Sequence, residues 1–331
     1  MEIKLCTKAL TLVFSVIIGI VACLLSNRLP PTLRSVLPLS ASTPTISARL
    51  FSNYFTKMPA RAPAYFMSHG GPSTMFDTQH PVYPILQNIG LEITQKVKPK
   101  AIVIFSAHWE AGPRDIQVNT ATSTDLIFDY YGFPPEYYKV QYPNKGSPEL
   151  ASKVIELLRN AGIKAEGVKR GLDHGVFVGF SVAFDPAKNP LNIPIVQVSQ
   201  YNSQDVDLHY RLGQAVAALR DENIVVIGAG MSVHNLQHMR LAFNSPQPLP
   251  YVASFDEALK PAMEASPSER QARMAEVAKR PDARQAHPRF DHLMPAYIAA
   301  GAAGEDTGKQ IWTHHEGSMG WAMYRFGEVA A

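Results

Sequence analysis

Ala101-Ile102-Val103-Ile104-Phe105-Ser106 is the stretch on which the fold turns. It is an apolar run rich in β-branched residues, with no polar residue alternating through it. Such a run reads as a strand buried on both faces. Two counterparts stand further along, Ile193–Ser199 (IPIVQVS) and Ile224–Gly228 (IVVIG), each with turn residues nearby. Between and after them the spacing changes to that of helices. Leu150, Val154, Leu157, Leu158 and Ala161 recur on one helical face, opened by Ser147-Pro148-Glu149 and closed by Gly162. Serine as cap, proline in the first turn and glycine past the end mark both boundaries. A second helix is predicted near Asp207–Leu219, and two more over Asp256–Ala265 and Ser268–Lys279, separated by Pro267. A fifth is predicted over Phe290–Ala300, with His292 near its start and Pro295 in its first turn, where proline is tolerated. Strands alternating with helices predict an α/β fold: a single domain with a mixed, mostly parallel sheet flanked by helices on both faces. Ligands in such sheets bind beyond the carboxyl ends of the strands. His108 and His234 are each expected a few residues past a strand end.

Four histidines occupy four short motifs that read as one buried metal site. They are His69 in Ser68-His69-Gly70-Gly71-Pro72, His108 in Ser106-Ala107-His108-Trp109-Glu110, His234 after Gly228-Ala229-Gly230-Met231-Ser232, and His292 in His287-Pro288-Arg289-Phe290-Asp291-His292. Imidazole is a versatile metal ligand, and its ordinary pKa lies nearest neutrality. Trp109 and Glu110 beside His108 fit a pocket wall and a carboxylate that orients the imidazole. Of His287 and His292, one is expected to serve the metal and the other not. His174, in Leu172-Asp173-His174-Gly175, suits a substrate-orienting donor. His80, His209, His238, His314 and His315 lack comparable contexts and read as surface or structural. Phe128, Tyr130, Tyr131 and Phe133 are as compatible with an aromatic pocket as with ordinary core.

Composition bounds what else the chain does. Its 331 residues are 46% hydrophobic and 18% charged, ordinary for a globular protein. The net charge of +3 is unevenly held. Residues 1–76 carry seven basic residues (Lys4, Lys8, Arg28, Arg34, Arg49, Lys57, Arg61) and one acid, Glu2. Removing these from the totals of 31 and 28 leaves 24 basic and 27 acidic residues in 77–331, a net of −3. The body therefore lacks the basic excess of a nucleic-acid-binding protein. Cys6 and Cys23 both lie near the N-terminus, so the body has no disulfide, thiolate ligand or cysteine nucleophile. There is no Gly-x-Ser-x-Gly elbow, His-Glu-x-x-His, phosphate-binding Walker loop or Gly-x-Gly-x-x-Gly. The glycine pair before His234 lacks the Lys-Ser/Thr partner of a phosphate loop.

Residues 1–57 stand apart. Ala9–Leu25 is a continuous apolar run of 17 residues behind Lys4 and Lys8, with the form of a signal peptide or short membrane anchor. The stretch 27–61 is rich in Pro, Ser, Thr and Arg without acids, as in a linker or an organelle presequence. The expected division is 1–57 as this segment and 58–331 as the catalytic domain, with Met58 a natural start. Membrane contact is expected only through the N-terminal segment. On that division the domain is cytoplasmic if started near Met58, and otherwise anchored, secretory or organellar.

Six pieces occur together: PAYFMSHGGPS (63–73), AIVIFSAHWE (101–110), GLDHGVFVGF (171–180), IGAGMSVHNL (227–236), HPRFDHLMPAYIAAGAA (287–303) and GSMGWAMYRFG (317–327). In this order they resemble the class III extradiol ring-cleavage dioxygenases, most closely the 4,5-DOPA extradiol dioxygenase branch. The resemblance covers about residues 62–327. It implies one mononuclear metal ion, Fe(II) for catalysis or Zn(II), with a catechol such as DOPA and O2 as partners. It places His69, His108 and His292 as metal ligands, His234 as the acid–base histidine within reach of serving as a fourth ligand, and His174 against substrate. The wider superfamily uses two histidines and a carboxylate; here the third position reads as His292. The implied reaction opens the ring beside the two hydroxyls to a muconic semialdehyde. The alternative on the same scaffold is a zinc-dependent hydrolase with His234 as base.

Overall fold

The apolar runs become strands because helices cover both of their faces. The structure, a computed structural model, describes residues 61–329 except 243, 244 and 246. The apolar run Ala9–Leu25 and the rest of the 1–57 segment lie outside the described residues. The strands are β1 (Ala64–Ser68), β2 (Ala101–Glu110), β3 (Asp115–Asn119), β4 (Leu126–Ile127), β5 (Lys164–Val168), β6 (Leu172–Asp173), β7 (Ile195–Gln200), β8 (Ile224–Gly230), β9 (Val233–His234), β10 (Gly308–Trp312), β11 (His315–Glu316), β12 (Met319–Gly320) and β13 (Met323–Phe326). The longer helices are α1 (Val82–Leu91), α2 (Pro148–Asn160), α3 (His174–Ala183), α4 (Val206–Val216), α5 (Pro250–Met263), α6 (Pro267–Val277) and α7 (Met294–Ala302).

Eight strands form one sheet in the order β10-β13-β1-β8-β2-β7-β3-β5. Its centre, β1-β8-β2-β7, is parallel throughout, and β3 pairs β5 in parallel. The pairs β1–β13, β10–β13 and β3–β7 are antiparallel. The sheet is mixed and mostly parallel, as expected.

Two cores explain the unbroken apolar runs. Phe66, Val103, Phe105 and Val226 pack toward α2, α4, α5 and α7. Tyr65, Met67, Ile102, Ile104 and Ile227 point the other way, toward α1 and α3. With a period of two and both faces dry, successive positions at the centre of these strands are apolar on both sides.

Helix boundaries differ where proline intervenes. α2 opens as read, with Ser147 Oγ accepting from the Leu150 N–H at 3.1 Å. α4 is capped by Asp205, whose Oδ1 accepts from the Leu208 N–H at 3.0 Å, and tightens into a 3-10 turn at Ala217–Glu222. α5 starts at Pro250, six residues before the expected Asp256, because proline suits a first turn. Pro267 is the first residue of α6 for the same reason. α7 starts at Met294 with Pro295 in its first turn, so His292 sits in the turn before the helix and not within it. β2 runs four residues past Ser106, which places His108 inside the strand. The Gly228–Gly230 turn is instead the end of β8, and His234 belongs to the separate strand β9. Among the described residues no helix is long and apolar enough to cross a membrane.

Candidate metal centre

Four parts of the fold deliver histidines to the carboxyl edge of the parallel strands. His69 follows β1 directly, and its N–H donates to Gly230 O at 3.1 Å at the end of β8. His108 comes from β2, His174 is the first residue of α3, and His292 comes from the turn before α7. That turn is pinned by Met231 N–H donating to His292 O at 2.9 Å. Two glycines allow the approach: a Cβ on Gly230 would stand 2.2 Å from His292 O, and one on Gly228 2.0 Å from Pro295 O. The glycines before His234 thus serve backbone packing against the α7 turn, not phosphate binding.

One nitrogen each from His69, His108 and His292 lies within 4.8 Å of the other two. His69 Nδ1 is 2.7 Å from Gly70 O and donates to it, so the proton is on Nδ1 and Nε2 keeps its lone pair. That Nε2 is buried with no hydrogen-bond partner. His108 Nδ1 faces Asp129 Oδ2 at 3.3 Å, and its Nε2 lies within hydrogen-bond distance of His292 Nε2, at 3.0 Å. Two nitrogens on one ion at about 2.1 Å stand about 3.0 Å apart when they meet at a right angle. A buried, unsatisfied nitrogen costs about 1–3 kcal/mol. Converging lone pairs, an orphaned buried Nε2 and an all-imidazole donor set fit a divalent metal ion. Burial, and then the neighbouring imidazoles, hold His69 and His292 far below the ordinary histidine pKa, so both rings are neutral at pH 7.

Asp129 braces the group. Its Oδ1 accepts from His174 Nδ1 at 2.8 Å and from the His174 backbone N–H at 3.1 Å, while Oδ2 faces His108. Burial alone would raise its carboxyl pKa, but hydrogen bonds from His108 and His174 hold it well below the usual carboxylate range. One carboxylate therefore fixes two imidazoles, as ligand histidines require. Glu110, expected in that role, instead accepts from Arg289 at 2.7 Å and 2.8 Å. Trp109 is buried beneath the Arg170 guanidinium, 4.6 Å from it, and does not line the cavity. Asp173 is also turned away from the cavity. It is fully buried and accepts from Ser106 Oγ at 2.6 Å, Gln197 Nε2 at 2.5 Å and Arg170 at 2.8 Å, anchoring β2 beneath His108.

His234 stands beside the cluster and not within it. Its ring stacks on His292, with centroids 3.6 Å apart and planes 9° apart. Burial, then His287, His108 and His174, lower its pKa to about 3. His287 is buried away from the cluster, with Nε2 donating to Ser232 O at 2.8 Å. Asp291 Oδ2 lies 3.3 Å from His292 Nδ1 without hydrogen-bond geometry.

These groups open into a cavity of about 710 Å³, lined also by Tyr130, Tyr131, Phe133, Trp321, Glu316 and His80. Tyr130, Tyr131 and Phe133 are therefore pocket wall, whereas Phe128 packs against the core. His80, read as surface or structural, meets Glu316 at this cavity at 3.1 Å, with His314 3.9 Å from the same carboxylate. His209, by contrast, is a buried structural residue bonded to Asp205 O and Tyr201 O. Asp129 escaped the sequence reading; its signal was a single carboxylate inside the aromatic run 128–133.

Residues 62–327 match the family model described as the catalytic LigB subunit of aromatic ring-opening dioxygenase. A 4,5-DOPA dioxygenase extradiol of Beta vulgaris is 35% identical over 272 residues, covering 79% of this chain and 95% of the relative. A 4,5-DOPA dioxygenase extradiol-like protein of Schizosaccharomyces pombe is 32% identical over 265 residues, covering 75% and 87%. The crystal structure of an uncharacterized protein from Escherichia coli K12 superposes with a TM-score of 0.64 at 27% identity, covering 81% of this chain and 100% of that one.

Proposed function

The chain belongs to the family of the catalytic LigB subunit of aromatic ring-opening dioxygenases, and from that membership we propose that it opens catechols of the DOPA type at an iron(II) held by His69, His108 and His292. The enzyme is a metal-dependent extradiol dioxygenase whose small-molecule partners are a catechol and O2. The observation that carries the assignment of residues is the convergence of one nitrogen each from His69, His108 and His292, with His108 facing Asp129. Bound there, the metal supplies the Lewis acidity that lowers the proton affinity of the phenols and the redox capacity that dioxygen requires.

The chain's own residues do the rest. Three neutral ligands leave the full positive charge of the ion for an anionic catecholate. His234 is neutral at pH 7 and accepts a phenolic proton. Its imidazolium, disfavoured by burial and the neighbouring imidazoles, gains a counter-charge once the catecholate lies beside it. The same nitrogen returns the proton later in the cycle. His174, its Nδ1 tied to Asp129, keeps a fixed ring against the substrate. Tyr130 and Phe133 supply an apolar wall for the aromatic ring.

The test is anaerobic loading of the chain with Fe(II), followed by DOPA and oxygen. Oxygen uptake with a yellow semialdehyde chromophore, lost in His108→Ala, supports the reading. Tight zinc binding with ester or amide hydrolysis and no oxygen uptake across a catechol panel overturns it in favour of the zinc hydrolase.

A further inference from the structure

Three short strands carry one cavity wall outward from His234. β12 pairs β9 with Met319 opposite His234, and β11 pairs β12 with Glu316 opposite Met319. Residues directly opposite one another in a ladder project from the same face, and all three line the cavity. Two strand spacings put the Glu316 backbone about 10 Å from that of His234.

Glu316 is held there by both oxygens. Oε1 accepts from Trp321 Nε1 at 2.9 Å, and Oε2 accepts from His80 Nε2 at 3.1 Å. His80 does not cancel its charge. The Val82 N–H donates to His80 Nδ1 at 3.1 Å, so the ring's one proton is on Nε2 and the ring is neutral. The same proton removes the lone pair that a metal would need, so the His80–His314–Glu316 cluster is not a second metal site. Burial holds His314, 3.9 Å away, below the ordinary histidine pKa. Glu316 keeps free lone pairs, and its side chain is 41% exposed. Among the described residues, no lysine or arginine lines the cavity to receive a carboxylate.

Building on the ring-opening reading, we propose that Glu316 selects catechols bearing an ammonium group on a short side chain, over neutral catechols and over those bearing a carboxylate alone. The catechol end sits at the histidine cluster and the ammonium end meets the carboxylate fixed by Trp321 and His80. A carboxylate alone meets like charge there with no counter-ion.

The test compares dopamine, ethylcatechol and dihydrocaffeate on the Fe(II)-loaded full chain. The expected kcat/KM for dopamine exceeds that for ethylcatechol by at least about tenfold, the size of one charge-assisted hydrogen bond. Dihydrocaffeate falls below ethylcatechol. Glu316→Gln, nearly isosteric, removes the dopamine preference, and Glu316→Lys puts dihydrocaffeate first. Calorimetric binding to the zinc-loaded protein is expected to follow the same order. Equal turnover of dopamine and ethylcatechol by the wild type, or a preference that survives Glu316→Gln, overturns this inference alone. Turnover of DOPA but of none of the three overturns this inference alone, whereas no oxygen uptake with any of them, DOPA included, overturns the ring-opening reading and this inference with it.

Discussion

Replacing Asp129 with asparagine is expected to weaken metal binding by about 10- to 100-fold, or roughly 1.4–2.7 kcal/mol. The size follows from proton bookkeeping at two histidines. Asp129 Oδ1 accepts two hydrogen bonds from His174, so an asparagine there keeps its carbonyl oxygen on that side. The amide NH2 must then face His108 Nδ1, where the carboxylate oxygen now lies at 3.3 Å. Two donors oppose each other, and His108 relieves the conflict by moving its proton to Nε2. That nitrogen points at His292 Nε2, 3.0 Å away, and is the one the metal needs. Binding metal then requires the unfavourable arrangement to be restored. Competition with a chromophoric chelator under anaerobic conditions measures the affinity, and thermal melting of the metal-free protein checks the fold. The Asp129 side chain is 23% exposed, so the metal-free fold should survive. An asparagine variant that binds metal within about twofold of the wild type would refute the bracing argument.

Gly230→Ala should be destabilising by about 1–3 kcal/mol, as overpacking against backbone is. It should also weaken metal binding, because the new Cβ would stand 2.2 Å from His292 O and push its turn outward; denaturant titration and the chelator assay read the two effects. Acid should destabilise the protein partly through His287, which is fully buried with its pKa lowered to about 4, chiefly by burial. The native state favours the neutral ring, so this stabilisation is complete above the unfolded value near 6.5 and is lost as pH falls from there toward about 4. Between about pH 7 and pH 4.5 the loss is about 2.5 kcal/mol. Unfolding free energies at both pH values should therefore differ less in His287→Gln than in the wild type, by about that amount.

The strands were legible because both of their faces are dry, so Ile102–Phe105 and Ile224–Ile227 show no polar interruption to confuse the reading. Helix α2 was legible because Ser147, Pro148 and Gly162 act locally. The boundaries that moved, at Pro250, Pro267 and Met294, depend on whether proline opens a helix or separates two, which packing decides. The histidines stood out because an imidazole beside a strand or glycine turn is conspicuous. Their supports did not. Asp129 meets His174 across 45 residues of chain, and Glu316 meets His80 across 236. Glu110, two residues past His108, is the nearest carboxylate in sequence, but the β2–β7 ladder is irregular between Phe105 and Glu110, and Glu110 pairs with Arg289 instead. Gly228 and Gly230 show their role only once the α7 turn lies on β8.

Labelled dioxygen tests the central claim most directly. The Fe(II)-loaded chain, given DOPA under oxygen-18 gas, is predicted to yield a ring-opened product carrying both labelled atoms, with the yield lost in His108→Ala and His292→Ala. A product that takes its oxygen from water, or label incorporation that survives loss of both histidines, would contradict dioxygenation at this three-histidine centre.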